Sequence, residues 1–237
     1  MEDVKECEVK TFKNDFFKIL NLLKAKEKFS FSKYADGEYA ILRNQRITNC
    51  DGWTFNPIND QKYQWALLES FKFHHPGYYV GISCPCCVPQ AHVDWMRENV
   101  GVDDGHLTWA NLFVNSNYEL FKEHFIPEFD NHDIIIVGSA RGNAAELPFK
   151  IEEYYGIFKA AWKENYDLIN LLLGNEYKDK LFLFCAGPLG NMLAHRMWEA
   201  NKDNTYLDIG STLNPWLVGN NRGYLRGKKT INKTCIW

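Results

Sequence analysis

Apolar positions in this chain change period repeatedly. Phe12, Phe16, Leu20 and Leu23 recur at helical spacing and predict an amphipathic helix over 12–25. Phe29–Tyr34 alternates and reads as a strand. Ile47–Pro57 is irregular, with Asp51-Gly52 and Asn56-Pro57 as turn signals. A helix is expected over Asp60–Phe73, and from there strand and helix patterns take turns. Tyr78–Ser83 reads as a strand, Gln90–Asn99 as a helix, Leu107–Val114 as a strand-like run and Tyr118–Phe129 as a helix. Asp133–Gly138 and Leu181–Cys185 are short, apolar and bounded by turn residues, as strands buried on both faces are. Between them, Ala144–Tyr155 reads as helical, Ile157–Trp162 as a strand and Tyr166–Leu173 as a helix. Asn191–Ala200 reads as a helix and Thr205–Ile209 as a last strand.

This alternation predicts an α/β fold, Rossmann-like, with a mostly parallel sheet and helices on both faces. No composition break marks a linker, so residues 1–237 are read as a single domain, with Cys84–His106 as a possible insertion over a cleft. In such sheets ligands bind beyond the carboxyl ends of the strands. Candidate chemistry is therefore sought at strand ends.

Asp36-Gly37-Glu38 follows the first strand. Two carboxylates two positions apart suit a divalent cation, Mg²⁺ or Mn²⁺, which takes oxygen ligands and leaves room for water and phosphate. A glycine between them lets the chain turn so that both reach one ion. A solvated D-G turn is the plain alternative. Two glycine-bearing turns follow the best strands, Gly138-Ser-Ala-Arg141-Gly-Asn143 and Gly187-Pro-Leu-Gly190-Asn191. Each precedes a predicted helix, whose free N–H groups and positive end favour phosphate, and Arg141 could clamp one. Read plainly, these are turns with Asn143 and Asn191 as helix caps. Asp208 ends the last strand on the same sheet edge, as a candidate base, a contact to a donor sugar, or a cap of the Gly210-Ser211 turn. Cys84-Pro-Cys86-Cys87 with His92 resembles half a zinc site, but no second cysteine pair completes it. Buried thiols are the simpler reading.

Composition narrows the partners. Net charge is −3 with a pI near 6.2, which argues against bulk nucleic-acid binding. The basic run Arg222, Arg226, Lys228, Lys229 and Lys233 reads as a solvated tail. The seven cysteines are odd in number, and the charged start of the chain lacks an apolar signal core. No apolar run approaches a membrane span. The expectation is a cytoplasmic protein with reduced thiols. Aromatics make up 15%, enough to line a cleft or fill a large core.

The run Phe31-Ser-Lys33-Tyr34-Ala35-Asp36-Gly37-Glu38 resembles the R-[FY]-G-D-G-E signature of the GT-D type glycosyltransferases. Cys185-Ala-Gly187-Pro188 and Asp208-Ile-Gly210 are similar in kind to later parts of that family, so the likeness spans roughly residues 29–215. The resemblance implies a sugar-nucleotide donor, a UDP-sugar foremost, a divalent cation, and transfer to a hydroxyl of a glycan. Asp36 and Glu38 would hold metal and diphosphate. From the reading of the strand ends themselves, Lys33, Tyr34, Gly138, Arg141, Asn143, Gly187 and Gly190 are the candidates to contact the donor, and Asp208 is the candidate base or donor-sugar contact. Lys33 stands where the family has arginine, a point charge in place of a fork, and Ala35 replaces a glycine. Trp53, Trp109 and Tyr34 are candidates to stack on a base or sugar. Two other readings compete. One is an S-adenosylmethionine-dependent methyltransferase, because Asp208 lies about twenty residues after the Gly187 turn. The other is a non-catalytic glycan-binding module.

Overall fold

A computed structural model describes residues 9–49, 52–158, 162, 165–219 and 223–225. The basic run at the C-terminus lies outside them. The strands are β1 (Ser30–Tyr34), β2 (Ile47–Thr48), β3 (Thr54–Phe55), β4 (Tyr78–Ile82), β5 (Leu107–Trp109), β6 (Asp133–Ser139), β7 (Glu153–Ile157), β8 (Lys180–Phe184) and β9 (Thr205–Asp208). The helices are α1 (Val9–Lys24), α2 (Asp36–Leu42), α3 (Gln61–Lys72), α4 (Gln90–Asn99), α5 (Tyr118–Phe129), α6 (Asp167–Leu173), α7 (Pro188–Ala200) and α8 (Asn214–Leu217). Seven strands form one sheet in the order β5-β4-β1-β9-β8-β6-β7, and every pairing in it is parallel. The expected parallel α/β fold is what the chain adopts.

Strand β1 shows how the layers are set. Side chains alternate across a strand. Phe31 points to one face, where Phe113 lies 5.5 Å away and in turn meets Phe16 of α1 and Phe125 of α5. Ser30, Ser32 and Tyr34 point to the other. Ser30 Oγ donates to the Ala194 carbonyl of α7 at 2.9 Å, and the Asn191 amide donates to Ser32 Oγ at 2.9 Å. Tyr34 packs edge-on against Phe71 of α3 at 4.8 Å. Small serines let α7 approach the sheet closely, and their hydroxyls satisfy buried polar groups there.

Five expectations change. Ile47–Pro57 is not irregular: β2 and β3 form a two-stranded antiparallel ribbon, Ile47 opposite Phe55. Leu107–Val114 keeps only three residues of strand before turning at Ala110. Ala144–Tyr155 is not a helix. It makes one short 3₁₀ turn over Ala144–Glu146, and its end is strand β7. Pro148 explains the stop, because the residue before a proline is driven to extended backbone, and Leu147 has φ −66°, ψ 141°. Of the predicted strand over Ile157–Trp162 only Ile157 is strand, as the last residue of β7; Trp162 is helical, and residues 159–161 lie outside the described ones. Cys84–His106 is no insertion: it carries α4, the crossover between the paired parallel strands β4 and β5.

Candidate active site

From β1 the chain leaves toward β4 and β5. From β9 it leaves the other way, where the Asn143 N–H donates to the Leu217 carbonyl of α8 at 2.8 Å. Outgoing connections thus diverge between β1 and β9, which opens a crevice at their carboxyl ends. The β1–β9 ladder stops after Phe31↔Leu207, and a side chain continues the bonding. Asp208 Oδ2 accepts the Lys33 N–H at 3.2 Å, and Oδ1 accepts the Gly210 N–H at 3.1 Å. The turn-capping reading of Asp208 is therefore correct.

This carboxylate is 2% exposed. Burial pushes its pKa up to about 7; the Lys33 ammonium works against that shift and the Glu38 carboxylate adds to it. Lys33, Glu38 and Asp208 thus form one charge cluster. A Cβ on Gly210 would lie 2.9 Å from Lys33 Nζ, so the lysine side chain runs across that glycine, which sits at φ +56°.

Asp36-Gly37-Glu38 is not a turn. It is the first turn of α2, with Ala35 as N-cap. Asp36 is exposed, whereas Glu38 is buried and its Oε2 accepts the Ala35 N–H at 2.9 Å. That is half a capping box, since Ala35 carries no side-chain acceptor. Burial raises the Glu38 pKa, and Lys33 and the Ala35 N–H oppose the rise. Gly37 has no left-handed φ. Its missing Cβ instead admits Trp53, whose Cη2 would stand 2.9 Å from one. The same indole lies against Gly187, 3.3 Å from a Cβ built there, so Trp53 spans the N-termini of α2 and α7.

Helix α7 starts three residues earlier than its apolar pattern suggests, with Gly187 (φ 54°) as N-cap and Pro188 in its first turn. Gly190 lets that turn close onto β8 and β9: a Cβ would lie 3.2 Å from Phe184 Cβ and 3.4 Å from Asp208 Oδ1. Asn191 is not a cap. It is fully buried inside α7 and donates to Ser32 Oγ and to the Lys33 carbonyl at 2.7 Å, so α7 grips the strand that carries Lys33. An asparagine among the apolar residues Leu189, Met192 and Leu193 was the available signal for this role.

Other candidates stand elsewhere. Gly138 lies inside β6, not in a turn, and faces the Tyr154 hydroxyl. Arg141 and Asn143 are exposed two strands from β9, and Asn143 Oδ1 caps the short 3₁₀ turn by accepting the Ala145 N–H at 3.2 Å. Tyr34 and Trp109 are buried, and Arg97 lies 5.5 Å over the Trp109 ring. Tyr34 is core, so it presents no face to a ligand. Trp53 is 5% exposed and packs edge-on against Trp162 at 5.1 Å. His92 joins the site from α4: its ring stacks on Tyr39 at 3.3 Å, one turn along α2 from Asp36, whose charge acts on the imidazole. Burial lowers the His92 pKa against that charge.

No group of three or more His, Cys, Asp or Glu among the described residues makes a ready metal cage, which bears on zinc at Cys84–Cys87 as well. Mg²⁺ and Mn²⁺ do not need one, because they commonly take one or two carboxylates plus water and substrate phosphates. Exposed Asp36, backed by Glu38, fits that donor set.

No protein-family profile matches this chain, and no curated protein matches it in sequence. The fold does have solved counterparts. A structure described as a new glycosyltransferase (DUF1792) from Streptococcus sanguinis aligns with a TM-score of 0.60 at 12% identity, covering 83% of this chain and 80% of that one. A second, described as showing that the highly conserved domain of unknown function 1792 has a distinct glycosyltransferase fold, aligns at 0.59 with 16% identity, over 83% and 77%. A selenomethionine-substituted DUF1792 structure gives 0.57 at 15% identity, over 83% and 77%. The chain has this glycosyltransferase fold, as its resemblance to the GT-D type implied.

Proposed function

We propose that this protein is a metal-dependent glycosyltransferase that moves a sugar from a nucleoside-diphosphate donor, a UDP-sugar foremost, to a hydroxyl of a glycan or glycoconjugate. The observation that carries the reading is the Lys33–Glu38–Asp208 cluster with Asp36 at its rim, set where β1 and β9 diverge on a fold shared with structures described as glycosyltransferases. Asp36 would hold the cation, Mn²⁺ or Mg²⁺, with Glu38 behind it. When bound, the ion neutralises charge on the departing diphosphate.

The chain's own groups do the rest. In the first turn of α7 Pro188 has no N–H and the Gly190 N–H donates to the Gly187 carbonyl at 2.8 Å, which leaves the Leu189 N–H as the first-turn donor for a phosphate. Lys33 supplies a point charge there. Asp208 has both oxygens taken by backbone N–H groups, so it acts as a positioning residue that fixes Lys33 and the Gly210 turn. The same fact weighs against the methyltransferase reading. A Rossmann cofactor site needs the acidic strand end to face a ribose, and here that carboxylate is buried and spent on the backbone.

The test is donor hydrolysis or sugar transfer with Mn²⁺, with and without EDTA, in wild type and Asp36→Ala. Chelation or the substitution should each lower the rate by at least about 10–100-fold. A variant that keeps full activity in EDTA would remove the mechanism. Thermal shifts with UDP, GDP and S-adenosylmethionine, each with and without Mn²⁺, identify the cofactor class. A ligand at about 100 times its Kd stabilises by about 2.7 kcal/mol.

A further inference from the structure

Cys84-Pro85-Cys86-Cys87 takes no part in the site just described, and its geometry is specific. The segment leaves the end of β4 as a tight helical turn: the Cys87 N–H donates to the Cys84 carbonyl at 3.0 Å and the Val88 N–H to the same oxygen at 3.2 Å. In such a turn residues three apart have Cα atoms about 5–6 Å apart, inside the range a disulfide spans. Both sulfurs also converge on one donor. Asn111 Nδ2 lies 3.3 Å from Cys84 Sγ and 3.5 Å from Cys87 Sγ, and Asn115 Nδ2 lies 4.0 Å from Cys87 Sγ. N–H donors aimed at sulfur stabilise negative charge on it, and the thiolate is the form that reacts. The two thiols differ in access. Cys84 is fully buried, whereas Cys87 is half-buried and open to an attacking reagent.

We propose that Cys84 and Cys87 form a reversible dithiol–disulfide pair, oxidised by a small-molecule disulfide such as oxidised glutathione. Cys87, as thiolate, attacks one sulfur of glutathione disulfide and releases one glutathione thiolate. Cys84 then loses its proton and attacks the Cys87 sulfur, which releases the second glutathione. Two protein thiols are oxidised, one disulfide is reduced to two thiols, and the two protons pass to the leaving groups. Cys86, half-buried against the core between them, remains a thiol. Because this turn leads into α4, and α4 carries His92 against Tyr39, closing the bond fixes the approach of that helix to α2.

Mass spectrometry of the intact full chain tests the pair without any activity assay, so its failure is separate from failure of the transferase reading. The protein is equilibrated in glutathione buffers of stepped ratio, acid-quenched, alkylated and cut with trypsin. Residues 73–97 then form one tryptic peptide that contains all three cysteines. The expected product is that peptide lighter by two hydrogens, with one alkylated thiol that fragmentation places at Cys86, and full return on adding dithiothreitol. Cys86→Ser should keep the bond. Cys87→Ser should abolish it and leave no stable glutathione adduct on Cys84. Because Cys87 is half-buried, that variant tests the idea even if Cys84→Ser fails to fold. Three fully alkylated thiols at every ratio, a stable glutathione adduct on Cys87 in wild type, or a bond from Cys84 or Cys87 to any other cysteine would each overturn the proposal.

Discussion

Asp36 is exposed and Glu38 is buried, so substitutions should separate them although the motif names them together. Asp36→Ala removes an exposed carboxylate that makes no hydrogen bond among the described residues and acts on His92 and Glu38 by charge alone. Its cost to stability should be within about 0.5 kcal/mol by denaturant titration, while metal-dependent transfer falls. Glu38→Ala strips the acceptor from the Ala35 N–H and leaves a hole near Lys33, so it should lose about 1 to 3 kcal/mol in the same titration. Glu38→Gln keeps an acceptor and should recover most of that loss. Equal destabilisation by Asp36→Ala and Glu38→Ala would contradict the placement. Gly37→Ala is a third probe. Its methyl would meet the six-membered ring of Trp53 at 2.9 and 3.0 Å, and that ring is buried, so a loss of about 1 to 3 kcal/mol is expected. The spacing D-x-E was visible in the chain, but its division into an exposed and a capping carboxylate was not. That division depends on Ala35 being the N-cap, and an alanine there gives none of the usual capping signals.

At the scale of elements, the contact between α7 and β1 holds the site together, and Asn191 is its polar tie. Asn191→Ala would leave the part-buried Lys33 carbonyl and the buried Ser32 Oγ without their amide donor. The expected loss is about 1 to 3 kcal/mol, and amide exchange should quicken in β1 more than in β6, the strand three places away. Uniform quickening across the sheet would mean that the tie is not local. Elements with a long period were readable in advance: Phe16, Leu20 and Leu23 mark α1, and Ile134–Val137 mark β6 as a strand buried on both sides. Elements governed by one residue were not. Pro148 ends a helical pattern that Ala144 to Leu147 would otherwise continue. Pro188 begins α7 before its apolar face does. The ribbon of β2 and β3 is two residues a side, too short for alternation to register. Sheet order lay beyond periodicity altogether, because β1 meets β9 only through the crossovers around both. The crevice, the partnership of Lys33 with Asp208 and the position of Trp53 all follow from that order.

For the whole molecule, two buried groups tie stability to pH with opposite signs. Burial pushes Asp208 up to about 7 from an ordinary 3.8, so between about pH 4 and 7 the folded chain binds a proton there that the unfolded chain has lost. Stability from this group is present at low pH and declines as pH rises through that window. Burial pulls His195 down to about 4 from 6.5, while Glu199 opposes the fall and Ser70 Oγ lies 3.1 Å from its Nδ1. The unfolded chain therefore binds the extra proton between about pH 4 and 6.5, and stability from His195 grows as pH rises through that range. Each group contributes a slope of up to about 1.4 kcal/mol per pH unit inside its window. In urea titrations from pH 4.5 to 6.5, Asp208→Asn should gain stability relative to wild type as pH rises, and His195→Gln should lose it. Glu38, also pushed up by burial, slopes in the same direction as Asp208, so the Asp208→Asn difference is a lower bound on the cluster's share. A bound cation adds a further sign. Positive charge beside Asp36 favours ionised carboxylates in the crevice, so saturating Mn²⁺ should flatten the wild-type loss between pH 6 and 7. It should leave the His195 contribution untouched, because that histidine faces Ser70 and Phe73 beneath α3. A pH profile of the wild type that Mn²⁺ shifts equally at both ends would place the ion away from these carboxylates.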